Sequence, residues 1–112
     1  MTAAGQPALL FRALADPTRR AVFERLALQE MSVSDLKAGF SVSQPAISQH
    51  LAALREAGLV SERREGRFAY YRAEPQALAP LEDWVACQRA RWPARIDKLK
   101  AVLKDMDEEQ DE

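Results

Sequence analysis

Apolar residues recur every three or four positions along most of the chain, the spacing that places side chains on one face of a helix. A first stripe comprises Leu9, Leu10, Ala13 and Leu14. A second comprises Val22, Phe23 and Leu26. In the central segment, Ile47, Leu51 and Leu54 lie four and three residues apart. This pattern predicts a mainly helical protein.

Capping residues divide the pattern into separate helices. Asp16-Pro17 predicts a helix start, because aspartate accepts hydrogen bonds from helix N–H groups and proline suits the first turn. Ser32 to Asp35 resembles a capping box that opens a short helix ending near Gly39. Ser43 precedes a further helix, with Pro45 in its first turn, which runs to about residue 57 before Gly58.

Residues 59–65 and 67–73 alternate in polarity and contain several aromatic side chains, which is typical of strands. Glu65-Gly66 lies between them as a turn signal. The two runs therefore predict a β-hairpin, and four arginines give its tip a positive charge: Arg63, Arg64, Arg67 and Arg72.

Residues 76–106 again show helical spacing. The stripe comprises Leu81, Val85, Trp92, Ile96, Leu99, Leu103 and Met106. Pro93 lies inside the segment and lacks the N–H that a helix interior needs, so we expect a kink or a break there. Residues 107–112 form an acidic tail, and we expect the end of the chain from residue 105 to be frayed.

Two short helices joined by a turn, followed by a basic hairpin, predict a winged helix-turn-helix. The expected fold is mainly α, with about five helices and a two-stranded wing in one domain. Its helix-turn-helix covers about residues 32–57, its wing about 59–73. Opposite the apolar face of the second helix lie small and amide side chains: Gln44, Pro45, Ser48, Gln49 and Ala52. Such side chains suit the major groove of DNA, where glutamine pairs with adenine.

Charge is distributed unevenly, although the net charge is −1. Residues 1–72 hold 10 Lys/Arg and 7 Asp/Glu, whereas residues 73–112 hold 6 and 10. A basic first part fits a polyanion-binding face, and an ordinary surface with an acidic, solubilising tail fits equally well. A single cysteine excludes an internal disulfide framework. No signal peptide or long apolar run is apparent, so we expect a cytoplasmic protein without a membrane span.

Nearly the whole chain resembles the ArsR-type winged helix-turn-helix regulators. The resemblance is carried by ADPTRRAVFERLAL (15–28), MSVSDLKAGFSVSQPAISQHLAALREAGLV (31–60) and SERREGRFAYYRAE (61–74). Residues 81–106 are similar to one subgroup with paired tryptophans and an Arg-x-Asp-x-Leu pattern. The matching positions are Trp84, Trp92, Arg95, Asp97 and Leu99.

The resemblance implies a homodimeric transcriptional regulator, most often a repressor, that binds an inverted-repeat operator in double-stranded DNA. It implies base contacts from Ser43, Gln44, Ser48 and Gln49, with Pro45 on the same surface. It implies phosphate or minor-groove contacts from His50, Arg64 and Arg67. Members that sense metals carry a Cys-x-Cys motif or Asp/His clusters. Residues 32–36 read SVSDL here, so we expect neither a metal nor another cofactor.

The resemblance also implies a dimer joined by the first and last helices, about residues 76–106 in the latter case. The expected interface comprises Leu10, Leu14, Leu81, Trp84, Val85, Trp92, Ile96 and Leu99. Helical spacing alone allows the same residues to be the core of one protomer.

Three alternatives accompany this hypothesis. A winged helix can serve as a protein–protein interaction module, although that role needs neither a polar helix face nor a basic wing. The regulator can instead respond to oxidation through Cys87, or to a small apolar effector near Trp84 and Trp92. An enzyme is not expected, because the chain has no phosphate-binding glycine loop, and Ser48 and His50 point apart on a helix.

Overall fold

The computed structural model describes residues 5–91 and 93–110, which form six α-helices, one 3-10 helix and three strands. In chain order these are α1 (Gly5–Leu14), α2 (Pro17–Leu28), β1 (Met31–Ser32), α3 (Val33–Ala38), α4 (Gln44–Glu56), β2 (Val60–Glu65), β3 (Phe68–Ala73), a 3-10 helix (Pro75–Leu78), α5 (Ala79–Arg91) and α6 (Pro93–Gln110). The expected winged helix-turn-helix is present, with α3 and α4 as its helix pair and β2–β3 as its wing.

Side-chain caps set the starts of three helices, as the sequence predicts. Asp16, Ser32 and Ser43 each accept a hydrogen bond from the backbone N–H three residues on, at 3.0, 3.2 and 3.2 Å. Each bond satisfies a donor that has no partner inside the helix. At the other end of α4, Gly58 adopts a φ of +78°, a left-handed conformation that ends the helix with little strain because glycine lacks a Cβ.

The predicted two-stranded hairpin is present as β2–β3, and a third strand extends it to a three-stranded antiparallel sheet. β2 pairs with β3 from Val60↔Ala73 to Glu65↔Phe68, and Gly66, with a φ of +63°, forms the turn. The additional strand, β1, pairs with the other edge of β3. Two residues are too few to show the alternation that marks a strand, so β1 could not be predicted from its local pattern.

The described core lies between α1–α4 and the base of the sheet. Its buried residues are Leu10, Ala13, Val22, Phe23, Leu26, Leu36, Ile47, Leu51, Leu54, Leu59 and Val60. The members on α4 are 0–1% exposed, which fixes the direction of the helix's opposite face. Burying side chains of this size stabilises the fold by about 1.5–3 kcal/mol each.

The structure describes helix up to Arg91 in α5 and again from Pro93 in α6, and residue 92 lies outside the described residues. The expected kink or break at Pro93 therefore stays a prediction. The expectation of a frayed end from residue 105 is wrong as far as Gln110, because α6 continues to that residue. Glu, Gln and Met, which occur in this segment, favour helices.

The described chain divides into two compact units, the first up to Leu81 and the second from Glu82 onward. The helix-turn-helix and the wing both lie in the first unit. In the described residues, no helix is both long enough and apolar enough to span a membrane.

Candidate nucleic-acid interface

Helix α4 exposes a polar surface opposite its buried residues. Five side chains at its N-terminal end, here called the reading face, are all solvent-exposed: Ser43, Gln44, Pro45, Ser48 and Gln49. Three residues anchor the opposite side in the core, so the reading face points outward. The resulting surface is uncharged and rich in donors and acceptors, as direct base recognition requires.

His50 lies at the border between the buried and exposed sides of α4 and is partly buried. Its Nδ1 accepts a long hydrogen bond of 3.5 Å from Nε of Arg19 on α2. Arg19 also donates to the carbonyl oxygen of Ala13 at 3.4 Å. The sequence singled out His50 but missed Arg19, because 31 residues separate the two and no local pattern connects them.

Strand alternation sorts the wing arginines onto two faces. Arg64 shares a face with Glu62, whose cross-strand partner is the half-buried Tyr71 that packs on the core. Arg63 lies on the opposite face, where its guanidinium sits 5.0 Å from the centre of the Tyr70 ring. Arg67 follows Gly66 at the exposed tip. The two arginines predicted to contact DNA are therefore Arg67 at the tip and Arg64 on the face that packs toward the core, here called the core-side face.

Arg63 forms ion pairs with carboxylates of the protein itself. Its guanidinium lies 2.7 Å from Glu30 and 2.6 Å from Glu65. The hydrogen bonds to these carboxylates raise the pKa of Arg63, and the bond from Arg63 lowers the pKa of Glu30. Two carboxylates thus neutralise this arginine, whereas within residues 5–91 and 93–110 Arg67 has no ion pair.

A cluster around Glu62 joins the wing to α4. The Glu62 carboxylate accepts a hydrogen bond from the Tyr71 hydroxyl at 3.0 Å. It also lies 3.3 Å from Arg55 of α4 and 3.5 Å from Arg64. Burial and the Glu62 hydrogen bond together raise the pKa of Tyr71. These four side chains are called the Glu62 cluster below; nothing in the local sequence pattern indicated it.

Glu74 fixes the end of the wing. Its carboxylate accepts hydrogen bonds from Ser61 at 2.6 Å, Gln76 at 2.7 Å and Arg72 at 3.1 Å. These bonds, with that from Ser61 the largest contribution, lower the pKa of Glu74 to about 2. Arg72 is thereby tied to the base of the wing, on the face opposite Arg64.

The residues predicted for a dimer interface differ in exposure within one protomer. Leu10 is 4% exposed and belongs to the protomer's own core. Leu14 and Leu81 are half-buried and pack against that core. Trp84, Val85 and Leu99 are 44%, 46% and 58% exposed. Trp92 and the side chain of Ile96 lie outside the described part of the chain.

In the part of the chain that the structure describes, no three His, Cys, Asp or Glu side chains are grouped closely enough to hold a metal ion. Cys87 is exposed on α5. A shallow cavity of about 270 Å³ in the first unit is lined by Leu9, Leu10, Ala57, Ala77 and Pro80.

Comparison with known proteins identifies the family. The model of the bacterial regulatory proteins of the ArsR family matches residues 16–62, from the start of α2 into the wing. The arsenical resistance operon repressor of Escherichia coli is 37% identical over 102 residues, which span 89% of this chain and 84% of that protein. The chain belongs to the ArsR family. This is a family of DNA-binding transcriptional regulators, not of enzymes.

Other ArsR-type relatives agree in sequence and fold. The transcriptional repressor SdpR of Bacillus subtilis is 36% identical over 76 residues, spanning 68% of this chain and 84% of that protein. An ArsR-like regulator from Rhodococcus sp. RHA1 superposes with a TM-score of 0.66 at 33% identity, covering 92% of this chain and 93% of the other. A crystal structure of another ArsR family regulator gives a TM-score of 0.74 at 33% identity, covering 81% and 94%.

Proposed function

We propose that this protein is a transcriptional repressor that binds an inverted-repeat operator as a homodimer without requiring a metal. The observation that carries the proposal is the reading face: five exposed polar or small side chains at the start of α4, beside a wing whose tip and core-side face present arginines. Ser43, Gln44, Ser48 and Gln49 are assigned to base edges.

The wing and His50 are assigned to the DNA backbone. Arg67 is exposed at a narrow tip, which suits the minor groove or a flanking phosphate. Arg64 lies on the face of the sheet that contacts α4, the proposed recognition helix, through Glu62 and Arg55. It is therefore placed to contact the DNA backbone beside the bases that α4 would read. His50 borders the reading face and is assigned to a phosphate there.

The homodimer is supported by an exposed apolar surface on the second unit. Helix α6 carries a stripe of apolar side chains, each about half exposed: Leu99, Val102, Leu103 and Met106. Spacings of three, one and three residues keep these side chains on one face, as in helices that pack along a partner. A two-fold dimer would read two half-sites about 34–36 Å apart, or a multiple of that distance.

Metal independence is proposed because serine and valine occupy the segment in which metal-sensing members carry thiols, residues 32–36. Since its proposed target is chromosomal DNA, the proposal also places the protein in the bacterial cytoplasm. Several relatives are named for arsenic resistance, but the thiols expected of such a sensor are not in this segment, so arsenic is not proposed as the effector.

The test is a titration of the protein into labelled DNA from upstream of its own gene and into a scrambled duplex, at two salt concentrations, followed by fluorescence anisotropy. We expect tight binding to the native fragment that weakens with salt and keeps its preference. Gln44→Ala should reduce specific binding by about 1–3 kcal/mol, whereas Gln29→Ala, at the exposed end of α2, should leave it unchanged.

A wing substitution completes the test. Arg67→Ala should weaken binding to both duplexes and reduce the salt slope by about one, because one phosphate contact is lost. Arg89→Ala, an exposed arginine on α5, is the matched control. If the protein binds neither duplex at low salt, the DNA-reading proposal fails and the protein-interaction alternative takes its place.

A further inference from the structure

Three side chains from three elements converge on the Glu62 carboxylate. Arg55 comes from the last turn of α4, Arg64 from β2 and Tyr71 from β3. The side chain of Glu62 is 14% exposed, whereas those of Arg55 and Arg64 are 50% and 73% exposed. A largely covered anion therefore holds two arginines that remain accessible to solvent.

We propose that Glu62 is a positioning residue for DNA recognition, which restrains Arg64 and thereby limits affinity for DNA of arbitrary sequence. The inference deepens the proposed function and rests on it. Arg64 cannot give its full charge to a phosphate while it is paired with Glu62, so the carboxylate and the DNA backbone compete for the same guanidinium.

The contact geometry makes this competition selective. By linking Arg64 to Arg55, Glu62 places the wing cation in a set position relative to the recognition helix. In an operator complex the reading face fixes the register, and a phosphate can meet Arg64 where it is held. Binding to arbitrary DNA depends mainly on charge, so it would gain most if Arg64 were released to find any phosphate.

The magnitude is limited by solvent. Ion pairs with exposed partners contribute little, so Glu62 restrains Arg64 only weakly and does not prevent it from meeting a correctly placed phosphate. Releasing it in the absence of the carboxylate should tighten binding to arbitrary DNA about two- to fivefold, which corresponds to one such pair. A newly available phosphate contact should also steepen the salt dependence by about 0.9 in the log–log slope.

The experiment compares Glu62→Gln with Glu65→Gln, using the native fragment and the scrambled duplex. Glutamine at 62 keeps an acceptor for the Tyr71 hydroxyl and removes the charge. Glu65→Gln removes one negative charge from the same strand, but its partner Arg63 lies on the opposite face and retains Glu30. We expect Glu62→Gln to tighten scrambled-duplex binding and to lower the specificity ratio, and Glu65→Gln to change both much less.

The double variant Glu62→Gln/Arg64→Ala should lose the gain. Equal effects of the two glutamine variants, weaker binding by Glu62→Gln, or a gain that survives Arg64→Ala would overturn the inference. If Glu62→Gln does not fold, Glu62→Asp loosens the contact by one methylene, and an unchanged affinity for the scrambled duplex would overturn it too. A wild-type protein with no operator preference would refute sequence-specific regulation separately, and one that binds no DNA would refute both proposals.

Discussion

Ser43 combines two roles in this structure, because it caps α4 and also stands on the reading face. Its hydroxyl oxygen accepts the N–H of Ala46 at 3.2 Å. Removing such a cap costs about 1 kcal/mol, so Ser43→Ala should lower the free energy of unfolding by that amount. For a chain of this length the melting temperature should fall by about 4 °C.

An aspartate separates the two roles. Aspartate caps helices as well as serine does, and its charge interacts favourably with the helix N-terminus, so Ser43→Asp should retain the stability. The same carboxylate would face the DNA phosphates, and operator affinity should fall by roughly tenfold or more. Stability is then measured by urea titration at fixed protomer concentration, and DNA binding by anisotropy.

Ser32→Ala is the control, since Ser32 caps α3 with the same 3.2 Å geometry away from the reading face. It should lose comparable stability and keep its operator affinity, measured at a temperature where both variants are folded. If Ser43→Asp is destabilised as much as Ser43→Ala, the capping argument is wrong. If it binds the operator like the wild type, Ser43 does not face the DNA.

Three further predictions concern acid stability, tautomer and assembly. Hydrogen bonds depress the pKa of Glu74 from 4.5 to about 2, so its contribution to the free energy of unfolding is present above pH 4.5 and is lost as the pH falls through about 2. Glu74→Gln should therefore flatten the loss of stability between neutral pH and about pH 3, and an unchanged slope would contradict this. His50, the single histidine in the sequence, should carry its proton on Nε2 when neutral, because its Nδ1 accepts a hydrogen bond from Arg19. Nitrogen NMR measures the tautomer directly: Arg19→Gln should weaken the Nε2 preference, and an even tautomer mixture in the wild type would contradict the prediction. In analytical sedimentation, Leu103→Glu on the α6 stripe should shift the dimer toward monomer, whereas Leu28→Glu on α2, where the leucine is 84% exposed, should not. Equal behaviour of the two variants would count against the stripe as an interface.

The elements that were predictable from sequence are those specified by neighbouring residues. Asp16, Ser32 and Ser43 each act on a backbone group three residues away, so their caps are visible in the sequence. The apolar face of α4 follows from helical spacing. The reading face could be predicted for the same reason, since it is the remainder of that helix.

The elements that escaped prediction depend on contacts between distant residues. β1 exists through its pairing with Tyr70 and Tyr71, about forty positions away. The contact of Arg19 with His50 spans 31 residues, and that of Arg63 with Glu30 spans 33. A positive charge on the wing was predictable from composition, but which arginine is neutralised depends on where the fold places the carboxylates.

The two ion-pair connections of β2 bear on how wings can be exchanged between related regulators. Glu62 contacts Arg55 on the recognition helix, and Arg63 contacts Glu30 ahead of β1. A graft of residues 60–73 alone would transfer Glu62 and Arg63 without their ion-pair partners, which lie at positions 55 and 30 outside the graft. The wing is therefore not a self-contained module, and a chimera that transfers its DNA preference should carry positions 30 and 55 together with the hairpin.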